Sequence, residues 1–266
     1  MSTNLSAHLD GGDVARLVGD LCAALFADLD GIAAEAEEQL AVASPRRSDL
    51  AIEATCHALL TDPARKVAGA GVVMAPDVLT DAPYWLEWWT ANPDAAPPKP
   101  RRLAAETDPR AVGFRDYTTL PWYAVPLATG AAHITGPYVD YLCTDQQTLT
   151  FTRPLWREGT FAGVVGFDLL VRTFEERMFG PLEQVGRACA VINRAGRVVT
   201  SSDLRWVTGD LIRGLPVERW WAATDEARET AAEAAREQAT GEWEFSPCPG
   251  LPLGVITALP PSRQGR

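Results

Sequence analysis

An aspartate interrupts an apolar segment in the middle of the chain. The segment FAGVVGFDLL covers residues 161–170, and Asp168 is followed at once by two leucines. A carboxylate inside an apolar run costs on the order of several kcal/mol unless a partner compensates it. In a strand, alternation places Asp168 on the same face as Ala162 and Gly166, whose small side chains leave empty volume. The pattern therefore leaves room for a bound ligand beside the carboxylate.

A structural interpretation of Asp168 competes with the binding one. The aspartate would then cap a helix that starts near Arg172, or form an ion pair with Arg172 or Arg177. An Asp168→Asn substitution distinguishes the two interpretations. It lowers ligand affinity if Asp168 binds a ligand, and it lowers stability if Asp168 has a structural role.

Two further segments combine aromatic rings with a carboxylate or with a proline. In GPYVDY, Tyr138 and Asp140 are two residues apart and share one strand face. A ring attracts an ammonium group by roughly 0.5–2 kcal/mol, and a carboxylate adds a hydrogen bond of roughly 1.5–3 kcal/mol. In LPWY, Pro121 indicates a turn that brings Trp122 and Tyr123 to one pocket, whereas a plain strand would separate them. The structural alternative is a solvated aspartate and ordinary core aromatics.

The composition excludes several classes of protein. The formal net charge of -11 over 266 residues argues against a nucleic-acid groove and mildly favours cations. Neither the histidines nor the cysteines show the spacing of a metal site, no GxSxG motif is present, and no glycine-rich phosphate loop lies between a strand and a helix. We therefore predict no catalytic residue, no metal and no cofactor, and mostly reduced structural thiols at Cys22, Cys56, Cys143, Cys189 and Cys248.

The apolar segments are too short for a membrane helix. None reaches the roughly 18 residues that a span needs, and the first residues do not combine a basic region with an apolar core. These features predict a cytoplasmic protein with no membrane span.

Helices and strands alternate along the chain in a recognisable order. Apolar residues recur every three or four positions in residues 14–43, which predicts one long helix. We predict further helices at 48–60, capped by Ser48 or Asp49, at 81–90, at 172–185 and at 217–239. Strands and hairpins are predicted at 69–76, 133–142, 148–171, 187–203 and 242–259. The fold class is α+β, with a long N-terminal helix followed by two mixed units on antiparallel sheets.

Three motifs in this order resemble the double Cache family, the PAS-like sensor domains of bacterial chemoreceptors and sensor kinases. They are LPWY, GPYVDY and TLTFTRPLWREGTFAGVVGFDLLV, which run from residue 120 to residue 171. The resemblance implies an N-terminal helical region at 1–62, a ligand-binding PAS-like unit at 63–171, a connecting helix at 172–187 and a second, smaller PAS-like unit at 188–266.

The resemblance also implies a ligand site. In relatives that bind amino acids, a tryptophan, two tyrosines and two aspartates surround the ligand, and the aspartates hold its amino group. By motif these roles fall on Trp122, Tyr123, Tyr138, Asp140 and Asp168. The arginine that holds the ligand carboxylate in those relatives is replaced by Leu120.

We therefore expect a non-enzymatic sensor for a cationic amine, which is a biogenic amine, a polyamine or a quaternary ammonium compound. The alternative is an amino-acid sensor in which Arg115 replaces the missing arginine. A third alternative is an enzyme that uses Asp140 and Asp168 as acid and base on an amine. We further expect a regulatory protein partner and a homodimer formed through the N-terminal helix.

Overall fold

The computed structural model describes residues 8–141, 145–229, 238–240 and 242–260. The chain divides into two compact units. The six-stranded unit comprises Ala23–Leu170, and the five-stranded unit comprises the chain up to Cys22 together with the chain from Val171 onward. The first helix is therefore divided between the two units.

Five α-helices are formed by the described residues. The first covers the residues predicted from the apolar stripe, and its buried side chains recur at helical spacing, from Val14 through Val18, Leu25 and Ile32 to Leu40. The helices are α1 (Gly11–Leu40), α2 (Glu53–Thr61), α3 (Pro121–Thr129), α4 (Val171–Gln184) and α5 (Val217–Glu229). The remainder of the helix predicted at 217–239 lies outside the described helix, mostly in residues that the structure does not describe.

The six-stranded unit contains an antiparallel sheet in the order β3-β2-β1-β6-β5-β4. Its long central hairpin turns at Glu158 and Gly159, which both have positive φ. The strands are β1 (Val67–Met74), β2 (Leu86–Thr90), β3 (Arg101–Arg102), β4 (His133–Val139), β5 (Gln147–Arg157) and β6 (Thr160–Leu170).

The five-stranded unit contains a second antiparallel sheet in the order β8-β7-β11-β10-β9. A core of tryptophan, phenylalanine and aliphatic side chains packs on it, and α5 supplies Trp220 and Trp221. The strands are β7 (Cys189–Asn193), β8 (Val198–Ser201), β9 (Gln238–Thr240), β10 (Trp243–Pro247) and β11 (Leu253–Ala258).

Two local predictions were wrong. Residues 86–90 form strand β2 rather than a helix, because Trp88 and Trp89 are both buried and a strand directs them to opposite faces. The helix predicted from Ser48 begins at Glu53, after a short 3₁₀ turn at Arg47–Asp49. The turn predicted at Pro121 is the first turn of helix α3, where Pro121 occupies the position that needs no amide hydrogen.

The predicted fold class is confirmed. A long N-terminal helix precedes two antiparallel sheets, and helix α4 lies between them in the sequence. None of the helices within the described residues combines the length and apolar character needed to cross a bilayer. The four described cysteines are buried free thiols, and Cys143 lies outside the described residues.

Candidate ligand site

A row of small and polar residues crosses the six-stranded sheet through Asp168. Directly paired residues in antiparallel strands point to the same face, so register alone defines the row. Asp168 of β6 pairs with Gly69 of β1 on one side and with Thr150 of β5 on the other. Gly69 in turn pairs with Thr90, and Thr150 pairs with Thr135. The carboxylate therefore lies in the middle of a hydroxyl-lined row rather than in an apolar one.

Asp168 is buried and has one hydrogen-bond donor within the described residues. The Thr150 hydroxyl donates to Asp168 Oδ1 over 2.7 Å. The hydroxyls of Tyr138 and Thr150 are 2.6 Å apart. Because Thr150 gives its only proton to Asp168, the Tyr138 hydroxyl donates to Thr150. The result is a relay from Tyr138 through Thr150 to the carboxylate.

The ionised form of Asp168 is disfavoured by its surroundings. Burial raises the pKa of this carboxyl from 3.8 to about 7, the Thr150 hydrogen bond opposes the rise, and the nearby Asp140 carboxylate adds to it. No arginine contributes, so the described residues give Asp168 neither an ion pair with Arg172 nor one with Arg177. A bound cation would stabilise the ionised carboxylate and so lower its pKa again.

Trp88 occupies much of the space that the glycines beside Asp168 leave open. A Cβ atom built on Gly69 would lie 2.7 Å from Trp88 Nε1 and 2.8 Å from Asp168 Oδ2. A Cβ on Gly166 would lie 3.5 Å from the far end of the same indole ring. The volume expected for a guest is therefore covered by an indole. Its N–H is buried and donates to no described residue, although it lies on the same side of the sheet as the carboxylate.

Aromatic rings from helix α3 and the segment before it pack on this face. Tyr123 is buried and Trp122 is partly buried, and both belong to one cluster with Trp88 and Val164. The centroid of the Tyr117 ring lies 5.5 Å from that of Tyr123 and 6.4 Å from that of Trp122. Burial raises the pKa of Tyr123 to about 12, so its hydroxyl stays protonated at neutral pH. The helix thus brings both LPWY rings to the same cluster.

Tyr117 holds this aromatic cluster against the sheet. Its hydroxyl donates to the Met74 carbonyl oxygen over 2.7 Å and accepts from the Trp85 amide over 3.2 Å. These two residues flank the loop that connects strands β1 and β2. Tyr117 was not among the predicted site residues. Its position shortly before the LPWY motif was the signal that could have identified it.

The remaining residues of the predicted site lie at its periphery. Asp140 is buried at the end of β4, and its backbone amide donates to the Gln146 carbonyl oxygen over 3.1 Å. Leu120 precedes the first turn of α3 and is partly exposed. Arg115 is exposed in the segment before Tyr117, and no contact within the described residues joins it to the aromatic cluster.

A pocket of about 540 Å³ opens at one end of the same row. Thr90 and Leu170 line it from the sheet, and the loop after β2 contributes Asn92 and Lys99. Arg101, the first residue of β3, completes its charged lining. The pocket contains basic side chains, in contrast to the acidic centre of the row.

Comparison with known proteins identifies both a segment and the fold. Residues 103–176 match the family model of the first PDC sensor domain of methyl-accepting chemotaxis protein-like proteins. The extracellular domain of mmHK1S-Z3, a protein assigned as a histidine kinase, superposes with a TM-score of 0.60 at 16% identity, covering 94% of this chain and 92% of that one. These findings confirm the resemblance to Cache sensor domains inferred from the sequence.

Two chemoreceptor domains with bound ligands have a similar fold. The ligand-binding domain of Pseudomonas aeruginosa PctC, in complex with GABA, has a TM-score of 0.53 at 18% identity over 94% of this chain and 96% of that one. The domain of Pseudomonas fluorescens CtaA, in complex with L-valine, has a TM-score of 0.55 at 16% identity, covering 95% of each chain.

Proposed function

We propose that this chain, which carries a PDC (Cache) sensor domain, binds a small ligand whose ammonium group lies against Asp168. The observation that carries the proposal is the buried carboxylate, which has one neutral hydrogen-bond donor among the described residues and a pKa of about 7. A buried carboxylate without a counter-ion is costly, and a bound cation supplies one. Ligand binding and sensing, rather than catalysis, is the activity of the family.

The surroundings of Asp168 suit an ammonium group in three ways. The Asp140 carboxylate raises the pKa of Asp168 by repulsion, which a cation between them relieves. The rings of Trp122 and Tyr123 offer cation–π attraction. Tyr138 donates to Thr150, and Thr150 donates to Oδ1 of Asp168. The remaining lone pairs of Asp168 are therefore available to a ligand.

The absence of an arginine at position 120 favours a cationic amine without a carboxylate. Leu120 stands where amino-acid-binding relatives have the carboxylate clamp, and an apolar side chain there offers no hydrogen bond. A biogenic amine, a polyamine or a quaternary ammonium compound fulfils this description.

An amino acid is the second candidate ligand. The PctC and CtaA domains carry GABA and L-valine, which both have a carboxylate. Arg115, five residues before Leu120, is exposed and would have to bind it. Replacing Arg115 with glutamine distinguishes the two candidates, since only amino-acid binding should weaken.

Three further proposals concern the context of binding. The sensor passes its state to a regulatory protein partner, it forms a homodimer through helix α1, and it works in the cytoplasm. An enzyme that uses Asp140 and Asp168 as acid and base is the least favoured possibility, and an assay for turnover of a bound amine tests it.

A thermal-shift screen across amines and amino acids tests the proposed function. A ligand at about 100 times its dissociation constant stabilises the folded state by roughly 2.7 kcal/mol. The hit is then titrated by calorimetry into the wild type, Asp168→Asn and the control Asp20→Asn, which removes an exposed carboxylate from α1. We expect the Asp168 variant alone to lose roughly 2–4 kcal/mol of binding free energy.

The opposite result contradicts the proposal. If Asp168 has a structural role, its asparagine variant melts at a lower temperature without ligand and keeps a normal response to the ligand.

A further inference from the structure

An arginine lies at the far end of the row that contains Asp168. Thr90 of β2 pairs with Arg101 of β3, and Thr90 belongs to the row through its pairing with Gly69. Because paired residues share a face, Arg101 and Asp168 are on the same side of the sheet. Its neighbour Arg102 is on the opposite side, where it lies over the Trp85 ring and forms an ion pair with Glu87.

The cations at this end of the row have no counter-ion among the described residues. Arg101 and Lys99 are exposed and line the pocket of about 540 Å³, and neither forms an ion pair with a described residue. A chain with a net charge of -11 supplies many carboxylates for exposed cations. Two unpaired cations beside a pocket therefore indicate a binding surface for an anion.

The middle of the row is polar, and the Trp88 indole that covers it must turn aside for a ligand. Gly69 has no side chain, and the buried Trp88 N–H beside it donates to no described residue. Arg101 and Asp168 are separated by three strand spacings, or about 14 Å between Cα atoms. The long arginine side chain covers part of that distance, and an extended ligand covers the rest.

We propose that Arg101, assisted by Lys99, binds the carboxylate of an ω-amino acid whose ammonium group lies at Asp168. The inference rests on the proposed function, because it takes the ammonium position from it. It favours an amino acid over an amine without a carboxylate, and it places the ligand carboxylate at Arg101 rather than at Arg115. An α-amino acid separates its nitrogen and carboxyl carbon by two bonds, or about 2.5 Å. A chain of six bonds, as in 6-aminohexanoate, reaches roughly 7 Å.

Calorimetry with matched compounds tests the inference. The probes are glycine, 4-aminobutyrate, 6-aminohexanoate and 6-aminohexanamide, in which an uncharged amide replaces the carboxylate. The variants are Arg101→Gln and Lys99→Gln, with Arg102→Gln as the matched control on the opposite face and Arg115→Gln as the rival clamp.

We expect affinity to increase along the carboxylate series, and 6-aminohexanoate to bind about tenfold more tightly than its amide. Arg101→Gln should remove that tenfold preference, and Lys99→Gln should reduce it. Arg102→Gln and Arg115→Gln should retain it. Since Arg101 and Lys99 are exposed, the melting temperatures of their variants should equal that of the wild type.

The outcomes separate the inference from the proposed function. A carboxylate preference that survives in Arg101→Gln, disappears in Arg115→Gln, or is highest for glycine overturns the inference alone. Unchanged affinity for both six-carbon compounds in Asp168→Asn overturns the proposed ammonium position. If none of the probes binds to the wild type, the inference is overturned, and the thermal-shift screen across amines then decides the proposed function.

Discussion

The two sheets of this protein use the same packing device for different ends. In each, a glycine lies beneath an aromatic ring. In the five-stranded unit, Gly254 lies under Phe245, whose ring stacks on Trp220 at 5.2 Å. In the six-stranded unit, Gly69 lies beneath Trp88, and the neighbouring atom is a carboxylate oxygen. One sheet is closed by an apolar core and the other retains a buried charge.

The register of the two sheets shows the same contrast. In the five-stranded sheet, Phe245, Ile256 and Ala190 are paired in one row, and all three belong to the apolar core. The row through Asp168 carries threonine hydroxyls on both sides of it. A row of the first kind gains stability from burial, whereas a row that buries a carboxylate loses stability.

The largest effect should come from the closed core. Trp220→Ala removes a fully buried ring that stacks on Phe245, and we expect the unfolding free energy to fall by about 3–5 kcal/mol. Trp88→Phe keeps a ring over the glycines and loses an N–H without a described partner, so it should cost less than about 1.5 kcal/mol. Urea unfolding of both variants measures the difference, and equal losses would contradict the contrast between the sheets.

The buried charge should make stability depend on pH. The pKa of Asp168 is about 7 in the folded state, against roughly 3.9 when unfolded. Between these values the folded state binds more protons, so stability falls as pH rises, by up to roughly 4 kcal/mol. Asp168→Asn should remove this loss and be more stable than the wild type at pH 8, with the advantage shrinking toward pH 4. Unfolding free energies at several pH values measure it.

Asp81 supplies a control of opposite sign. The Arg47 amide donates to its carboxylate, and this hydrogen bond lowers the pKa of Asp81. The contribution of Asp81 to stability is present above the unfolded pKa and is lost as pH falls, so Asp81→Asn should not improve stability at pH 8.

Ligand affinity of the wild type should also weaken below pH 7, as Asp168 becomes protonated.

A positive charge can also be added at position 120, next to the aromatic cluster of helix α3. Leu120→Arg restores the arginine of amino-acid-binding relatives, and we expect it to favour L-alanine over ethylamine by roughly 1.5–3 kcal/mol more than in the wild type. Calorimetry with the two compounds measures the change. If the wild type already prefers L-alanine to the same extent, Leu120 does not determine the choice of ligand.

The smallest effects should come from the two glycines. Gly254→Ala would place its Cβ 2.4 Å from a Phe245 ring carbon, and we expect a loss of about 1–3 kcal/mol by overpacking. Gly69→Ala meets the tip of Trp88 and the Asp168 carboxylate, so ligand affinity should fall more than stability. Melting temperatures of both glycine variants with and without ligand measure the difference. A Gly69→Ala variant that loses stability but keeps its ligand response would contradict a ligand site on the face that carries Asp168.

Sequence alone determined the features that depend on local periodicity. The apolar stripe of α1, the hairpins of both sheets, helix α4 and the common face of Gly166 and Asp168 follow from spacings of two or of three to four residues. The three motifs also indicated the resemblance to Cache sensor domains. These patterns are short in range, so each segment carries its own signal.

Only the tertiary structure decided what lies opposite Asp168. Gly69 and Arg101 reach the row of Asp168 because β1 pairs with β6, two strands that are distant in sequence, and no local pattern encodes that register. The same holds for Trp88. The spacing of Trp85 and Trp89, one helical turn apart, predicts a helix in this segment. Burial on both sides of a sheet selected the strand, and this placed an indole over the carboxylate.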